Sequence, residues 1–158
     1  MKSPTLKRPL SAAPVAVPSS SLMDAALLDT DILSEVLKQR NATVTATAAA
    51  YLQDQGQFAF SAFTRFEIVR GYRVKNATTL LSRFTTFCQH SLILPVTDAV
   101  FDRAADLWVT ARQGGHPHGD ADLIIAATAL EHGRVLVTGN THHFAWIPGL
   151  TVADWRQP

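Results

Sequence analysis

The sequence has little cysteine, little net charge and no long apolar run, and each of these shortages excludes a class of protein. The single cysteine, Cys88, cannot form an internal disulfide, so we exclude a disulfide-stabilised secreted scaffold and expect a cytoplasmic protein. A formal net charge of +1 excludes the strongly basic balance of proteins that coat long nucleic acids. No apolar run approaches the roughly 20 residues that cross a bilayer, so we expect no membrane segment.

The rest of the composition is typical of one globular domain. The chain has 158 residues, of which 47% are hydrophobic and 17% are charged, enough to bury a sizeable core. Residues 1–22 differ from the rest, since they contain four prolines and many small residues. We therefore predict a disordered N-terminal tail over 1–22 and a single folded domain over 23–158.

Short apolar segments alternate with segments of helical pattern throughout the predicted domain. The predicted strands are 25–28, 58–61, 92–94, 135–137 and a less clear one at 150–152. The predicted helices are 32–39, 43–55, 63–75, 78–89, 97–113 and 120–132. This alternation predicts an α/β domain with a mainly parallel sheet, whose uniformly apolar strands indicate cover on both faces. Sites in such sheets form beyond the carboxyl ends of the strands, where Asp29, Thr138 and Asn140 are expected to lie.

Two acidic residues lie in surroundings where a carboxylate is costly to bury without a partner. Asp29 directly follows an apolar strand and could be either a site residue or a turn and capping residue, although we expect Thr30 or Asp31 to cap the helix that follows. Glu67 lies on a helix rich in aromatic and aliphatic residues. It could pair with Arg70, three residues along the helix, or bind a cation.

A further pair, Asp120 and Asp122, opens the helix predicted over 120–132. One aspartate is enough to cap the helix and complement its dipole. Because side chains two residues apart point to different faces, at least one should have another role. We interpret Asp120 as the cap and Asp122 as the candidate site residue.

Four histidines lie in two short segments without a clear role. His116 and His118 flank Pro117 in a glycine-rich loop, and His142 and His143 follow a strand end. An H-x-H pair can bind a metal, but no other ligand lies nearby in the sequence. The patterns favour a loop and a simple turn.

The order of four segments resembles the PIN-domain family, and within it the VapC-type toxins of bacterial toxin–antitoxin pairs. LLDTDILSE is similar to the family's first motif, with Asp29 as the first acid, and FTRFEIVRG is similar to the second, with Glu67. DADLIIAATALEHG is similar to the third motif, with Asp122 as the principal acid and Asp120 as an auxiliary. VLVTGNTHHFAWIPGL is similar to the closing motif, in which Asn140 takes the fourth position. The resemblance covers residues 24–155.

The resemblance implies a three-layer PIN-like domain with a small, mainly parallel sheet flanked by helices. It implies a toxin that hydrolyses RNA with Mg²⁺ or Mn²⁺ and leaves a 5′-phosphate and a 3′-hydroxyl. Asp29, Glu67 and Asp122 would bind the metal, while Thr30 and Asn140 would orient waters or a ligand. A homodimer and a cognate antitoxin that blocks the site are also implied. Crowding the three acids should raise the pKa of at least one of them in the metal-free protein.

Basic residues around Glu67 are candidates for binding the RNA backbone. Arg65, Arg70 and Arg73 lie on the same predicted helix, and with Lys75 they could form a phosphate-binding patch. They could equally be ordinary helix charges.

Two other functions remain open. ALLDTD matches the first motif of haloacid-dehalogenase-like phosphatases, but their phosphate-steadying lysine is missing, since no lysine follows Lys75. The second alternative is an inactive PIN-like module that binds RNA or protein. Asn140 stands where many relatives have a fourth aspartate, and Gly139 stands where a basic residue is frequent. The presence of all three principal acids argues against inactivity.

Overall fold

The computed structural model describes residues 23–116 and 118–158, which form five short strands and seven helices. The tail predicted over 1–22 lies outside the described residues. The strands are β1 Ala26–Leu28, β2 Ala59–Ser61, β3 Leu92–Leu94, β4 Val135–Val137 and β5 Val152–Ala153. The helices are α1 Thr30–Lys38, α2 Ala42–Gln55, α3 Ala62–Val74, α4 Thr78–Gln89, α5 Asp98–Gly114, α6 Asp120–Glu131 and α7 Thr141–Phe144.

All strand pairs are parallel, which confirms the predicted sheet type. Strand β4 is central between β1 and β5, and β2 pairs with β3. Strands β1 and β2 also lie side by side, although no ladder joins them. The carboxyl ends of β1 and β4 therefore lie at the same edge, and Thr30, after β1, contacts Glu67 on the helix that follows β2.

Alternation along the strands divides the core into two apolar layers. Leu28 of β1 packs with helices α1 to α4, whereas its neighbour Leu27 packs with α5 and α6. In β4, Val137 and Leu136 divide in the same way. Successive side chains of a strand point to opposite faces, so helices cover both sides of the sheet. The α/β prediction with helices flanking a small parallel sheet is confirmed.

Helix capping differs from the sequence prediction at two helices. Asp29 itself caps α1 by accepting from the Thr30 amide, so the prediction that Thr30 or Asp31 is the cap is wrong. Gly119 holds the cap position of α6 and no side chain bonds there, so the prediction that Asp120 is the cap is also wrong. Asp120 is the first residue of the helix, where its charge still favours the helix dipole.

Two elements near the C-terminus also differ from prediction. The segment after β4, expected to be a simple turn, contains the short helix α7. Strand β5 begins at Val152, two residues later than predicted, where it pairs with β4. Among the described residues, no helix combines the length and apolar character that a membrane span requires.

Candidate active site

Asp29 lies at the junction of β1 and α1, with its carboxylate between the ends of β1 and β4. Its Oδ1 accepts a hydrogen bond of 2.7 Å from the Thr30 amide. Its Oδ2 accepts one of 2.7 Å from Oγ1 of Thr138, the residue after β4. Asp29 is only 7% exposed and Thr138 is fully buried. The two donors orient both carboxylate oxygens in a confined space.

The environment of Asp29 opposes its ionisation. Burial is the largest cause and, together with the nearby Asp31 and Asp122 carboxylates, raises the pKa of Asp29 to about 6. The hydrogen bonds from Thr138 and Thr30 act in the opposite direction but are outweighed. We expected a raised pKa from the crowding of acids. In the structure the largest cause is removal of the carboxylate from water.

Glu67 is joined to the start of α1 through a pair of threonine hydroxyls. Thr30 Oγ1 donates to Glu67 Oε1 at 2.8 Å and lies 3.1 Å from Oγ1 of Thr64. Since the Thr30 hydroxyl has one proton, Thr64 is the donor in the second bond. Arg70 lies 3.6 Å from the other oxygen of Glu67, so the alternative of an ion pair is also present. Most of the Arg70 side chain, 59%, is exposed, and so is available to another anion.

Asp122 lies on the first turn of α6 and faces α7. Its Oδ2 is 3.4 Å from Nδ1 of His143. Asp120 points to a different face of α6, as expected, and lines a separate cavity beside Trp108. Of the two aspartates, only Asp122 reaches the carboxylate cavity.

The loop after β4 is held by a second set of polar contacts. Asp31 Oδ2 accepts from the Gly139 amide at 2.9 Å, and the Arg156 guanidinium donates to the Gly139 carbonyl. Burial raises the pKa of Asp31, although the Gly139 bond and Arg156 reduce the shift. The Asn140 amide donates to Thr138 Oγ1 at 3.1 Å. These contacts fix Asn140 at the rim of the site.

The candidate acids line one open cavity of about 310 Å³. Its lining includes the three principal acids and both predicted orienting residues, which are Asp29, Glu67, Asp122, Thr30 and Asn140. The remaining lining residues are Asp31, Ser34, Ala121 and Ile125. The predicted basic patch is divided. Arg70 is beside Glu67, Arg65 lies beside Cys88 of α4, and Arg73 is exposed near the end of α3.

The donor set of this cavity suits a hard divalent cation. Carboxylate and hydroxyl oxygens dominate its polar lining, and Mg²⁺ prefers such ligands while keeping several waters. Across residues 23–116 and 118–158, no three histidine, cysteine or carboxylate side chains are already close enough to share one ion. The oxygen donors of the lining fit the cation in chemistry. Because three of them do not already surround one point, a bound ion would be held by few carboxylates plus water.

Sequence reasoning missed several residues that support the site. Thr138 was placed at a strand end without a role, and Thr64, His143 and Arg156 were not connected to the acids. Thr138 directly follows an apolar strand, as Asp29 does, and this signal could have indicated it. Thr64 lies between Phe63 and Arg65 and has no such signal. The contacts of His143 and Arg156 depend on the packing of α7 and of the C-terminal segment, which no local pattern encodes.

Comparison with known proteins gives consistent matches over this architecture. A family model described as "PIN domain" matches residues 26–149. A curated protein from Shigella flexneri, "tRNA(fMet)-specific endonuclease VapC", is 26% identical over 130 residues, covering 82% of this chain and 96% of its own.

Solved structures match over a similar length. FitAcB from Neisseria gonorrhoeae is 26% identical with a TM-score of 0.72, covering 84% of this chain and 99% of its own. A toxin–antitoxin complex from Klebsiella pneumoniae is 27% identical with a TM-score of 0.64, covering 81% and 95%. DNA-bound VapBC from Salmonella typhimurium is 22% identical, with a TM-score of 0.74 and coverage of 84% and 99%, and this match concerns the fold alone.

Proposed function

The chain belongs to the PIN domain family, and from this membership we propose that it is the endoribonuclease toxin of a toxin–antitoxin pair, dependent on Mg²⁺ or Mn²⁺. The similarity to an endonuclease named VapC over nearly the whole of that protein supports the activity. The proposal places the reaction in the cytoplasm, where its RNA substrate is found.

The observation that carries the proposal is the meeting of Asp29, Glu67 and Asp122 in one cavity. They come from β1–α1, α3 and α6, which are far apart in sequence. A buried aspartate whose pKa is raised to about 6 is unfavourable for stability unless something compensates for it. A cation that binds the carboxylates would remove that cost. This geometry supports a site for a positively charged ligand.

The chain's own residues have distinct roles in this proposal. When bound, a divalent ion polarises water and the phosphate and offsets negative charge that develops during hydrolysis. Thr138 and the Thr30 amide hold the Asp29 carboxylate in one orientation, and the Thr30 hydroxyl holds Glu67. The exposed guanidinium of Arg70 is positioned to bind an RNA phosphate next to Glu67.

Two kinds of protein partner belong to the proposal. A cognate antitoxin is supported by the similarity to solved toxin–antitoxin complexes. A homodimer is supported by large apolar side chains that α5 leaves exposed, since such side chains are typical of protein interfaces. They are Phe101, Trp108 and Val109.

The two alternative functions find no support. A haloacid-dehalogenase-like phosphatase would need a lysine near the acids, and none lies between 76 and 158. In that chemistry Asp31 would act on substrate. Here one Asp31 oxygen accepts a hydrogen bond from the Gly139 amide and the other accepts one from the Ile32 amide. An inactive module would not need three acids and their threonine donors in one cavity.

The test of the proposed function is RNA cleavage by the purified protein. We expect cleavage with Mg²⁺ or Mn²⁺ and none in EDTA. Asp29→Asn, Glu67→Gln and Asp122→Asn should each reduce the rate about a hundredfold or more, because each removes a proposed metal ligand. Asp106→Asn, on the exposed face of α5, is the matched control and should cleave normally. Cleavage that persists in EDTA, or full activity in any of the three variants, would contradict the proposal.

A further inference from the structure

Four ring side chains lie in succession from Asp122 as two ring pairs joined through the His143 carbonyl, and we call them the imidazole–indole row: His142, His143, Trp146 and His116. His143 contacts Asp122, and its ring meets that of His142 edge-on at a centroid distance of 4.7 Å. Trp146 Nε1 donates to the His143 carbonyl at 2.9 Å. The His116 ring stacks on Trp146 at 5.0 Å with an interplanar angle of 2°.

The row is held in place by the backbone around it. The His143 amide donates to the Asn140 carbonyl, which joins the row to the rim of the carboxylate cavity. On the other side, the His116 ring lies over Gly114, where a Cβ would be only 2.6 Å from its Cδ2. A residue other than glycine at 114 would displace the ring. The stack therefore depends on the absence of a side chain there.

Core packing accounts for only part of the row, since Trp146 packs against the apolar layer of α5 and α6. His116 and His142 are exposed, while His143 and Trp146 are partly exposed. These are flat, partly accessible rings next to a carboxylate of the site. Flat rings of this kind are what unpaired nucleotide bases stack on.

We propose that the imidazole–indole row is a base-stacking subsite, which holds one or more unpaired RNA bases beside the phosphate to be cut. The inference rests on the proposed ribonuclease function. Continuity with Asp122 places a stacked base within reach of the carboxylate cavity. Base stacking tolerates any base, so the row would position single-stranded RNA without reading a particular sequence.

The test measures RNA binding by the full chain carrying Glu67→Gln, which prevents cleavage without altering the row. The probes are a short single-stranded RNA and an abasic ribose-phosphate chain of the same length. His116→Ala removes a ring, whereas Gly114→Ala keeps every ring and displaces that of His116. Because alanine favours the helix over glycine, Gly114→Ala should not unfold the end of α5. His116→Phe keeps a flat ring. The matched control is His132→Ala, at the opposite end of α6.

We expect His116→Ala and Gly114→Ala to weaken RNA binding roughly tenfold and to leave binding of the abasic chain unchanged. His116→Phe should bind RNA nearly as well as the parent protein, and His132→Ala should be unaffected. The inference is overturned if His116→Ala binds RNA as tightly as His132→Ala, or if both probes lose affinity equally, since that would indicate phosphate contacts.

Cleavage by the chain with Glu67 intact separates this result from the proposed function. If the unsubstituted protein cuts no RNA with metal, the ribonuclease proposal fails. If it cuts RNA and His116→Ala cuts equally well at limiting RNA concentration, only the stacking subsite is wrong.

Discussion

At the scale of single residues, Asp29 caps α1 and also lines the carboxylate cavity. The capping role is therefore observed, and the role as a site residue stays a prediction. A cap alone would be satisfied by a partly exposed aspartate. Burial to 7% exposure and a bond from the buried Thr138 exceed what a cap requires. The excess indicates that the carboxylate is positioned for binding.

The raised pKa of Asp29 predicts a specific pH dependence of stability. The unfolded chain has the ordinary value of 3.8, and the folded protein about 6. Below about 3.8 the carboxyl is protonated in both states, and its contribution to stability is fully present. As pH rises towards 6 the unfolded chain releases its proton first, so the folded state is progressively destabilised, by at most about 3 kcal/mol.

The measurement is the free energy of unfolding by denaturant, in EDTA, for the wild type and Asp29→Asn from pH 4 to 7. The difference between the two proteins isolates Asp29, because all other titrating groups are shared. The wild type should lose stability relative to the variant across this range. A difference that does not change with pH would show that Asp29 titrates normally.

The principal acids could be found from sequence because each is a charge in an apolar setting. Their supporting residues could not, because their contacts cross long separations. Thr138 reaches Asp29 over 109 residues, and His143 reaches Asp122 over 21. Which threonine meets which carboxylate depends on β4 lying next to β1. The pairing of β1 with β4 is a property of the whole sheet, and neither strand's own sequence predicts it.

At the scale of elements, the sequence located nearly every helix and strand but misplaced their caps. Helix α4 and strands β3 and β4 have the predicted bounds. Capping was wrong at α1 and α6 because several adjacent residues were suitable donors or acceptors. The choice between them was made by tertiary contacts: Asp31 turns to the Gly139 amide, which leaves Asp29 to cap α1. Helix α7 was missed because four residues give no periodicity.

The loop after β4 gives a prediction at this scale. A Cβ on Gly139 would lie 2.5 Å from Arg156 Cζ and 2.6 Å from Asp31 Oδ2. Gly139→Ala should therefore displace both flexible side chains from residue 139, lower the free energy of unfolding by roughly 1 kcal/mol through the weakened hydrogen bonds, and weaken RNA cleavage by moving Asn140. Arg156→Ala removes one of the two obstacles. In the double variant the loss of stability should be smaller than the sum of the single losses.

Thermal and denaturant unfolding of the four proteins in this cycle would measure the coupling. Additive losses would mean that Arg156 does not press on position 139. A Gly139→Ala variant as stable and active as the wild type would show that the loop moves aside freely, and that Asn140 is not fixed by it.

At the scale of the whole molecule, the candidate site forms because three separate units of the fold meet at the same edge. Asp29 follows β1, Glu67 lies on the helix after β2, and Asp122 lies on α6, which packs against the opposite face. Parallel strands point their carboxyl ends one way, so the edge could be anticipated from the α/β pattern. The strand order, with β4 between β1 and β5, could not be anticipated, because all strands are equally short and apolar.

This arrangement predicts that metal binding and global stability are linked through protonation. A cation binds ionised carboxylates, and Asp29 holds its proton up to about pH 6. Mg²⁺ should therefore raise the melting temperature strongly near pH 8 and much less near pH 5. At a concentration about 100 times its dissociation constant, it should add roughly 2.7 kcal/mol to the free energy of unfolding.

Asp122→Asn lacks one proposed ligand and should gain much less at both pH values, whereas Asp106→Asn should gain as much as the wild type. Melting curves in EDTA and in Mg²⁺ at the two pH values measure this directly. Equal stabilisation of Asp122→Asn and wild type would mean that the ion binds elsewhere, and stabilisation independent of pH would mean that it does not compete with the proton on Asp29.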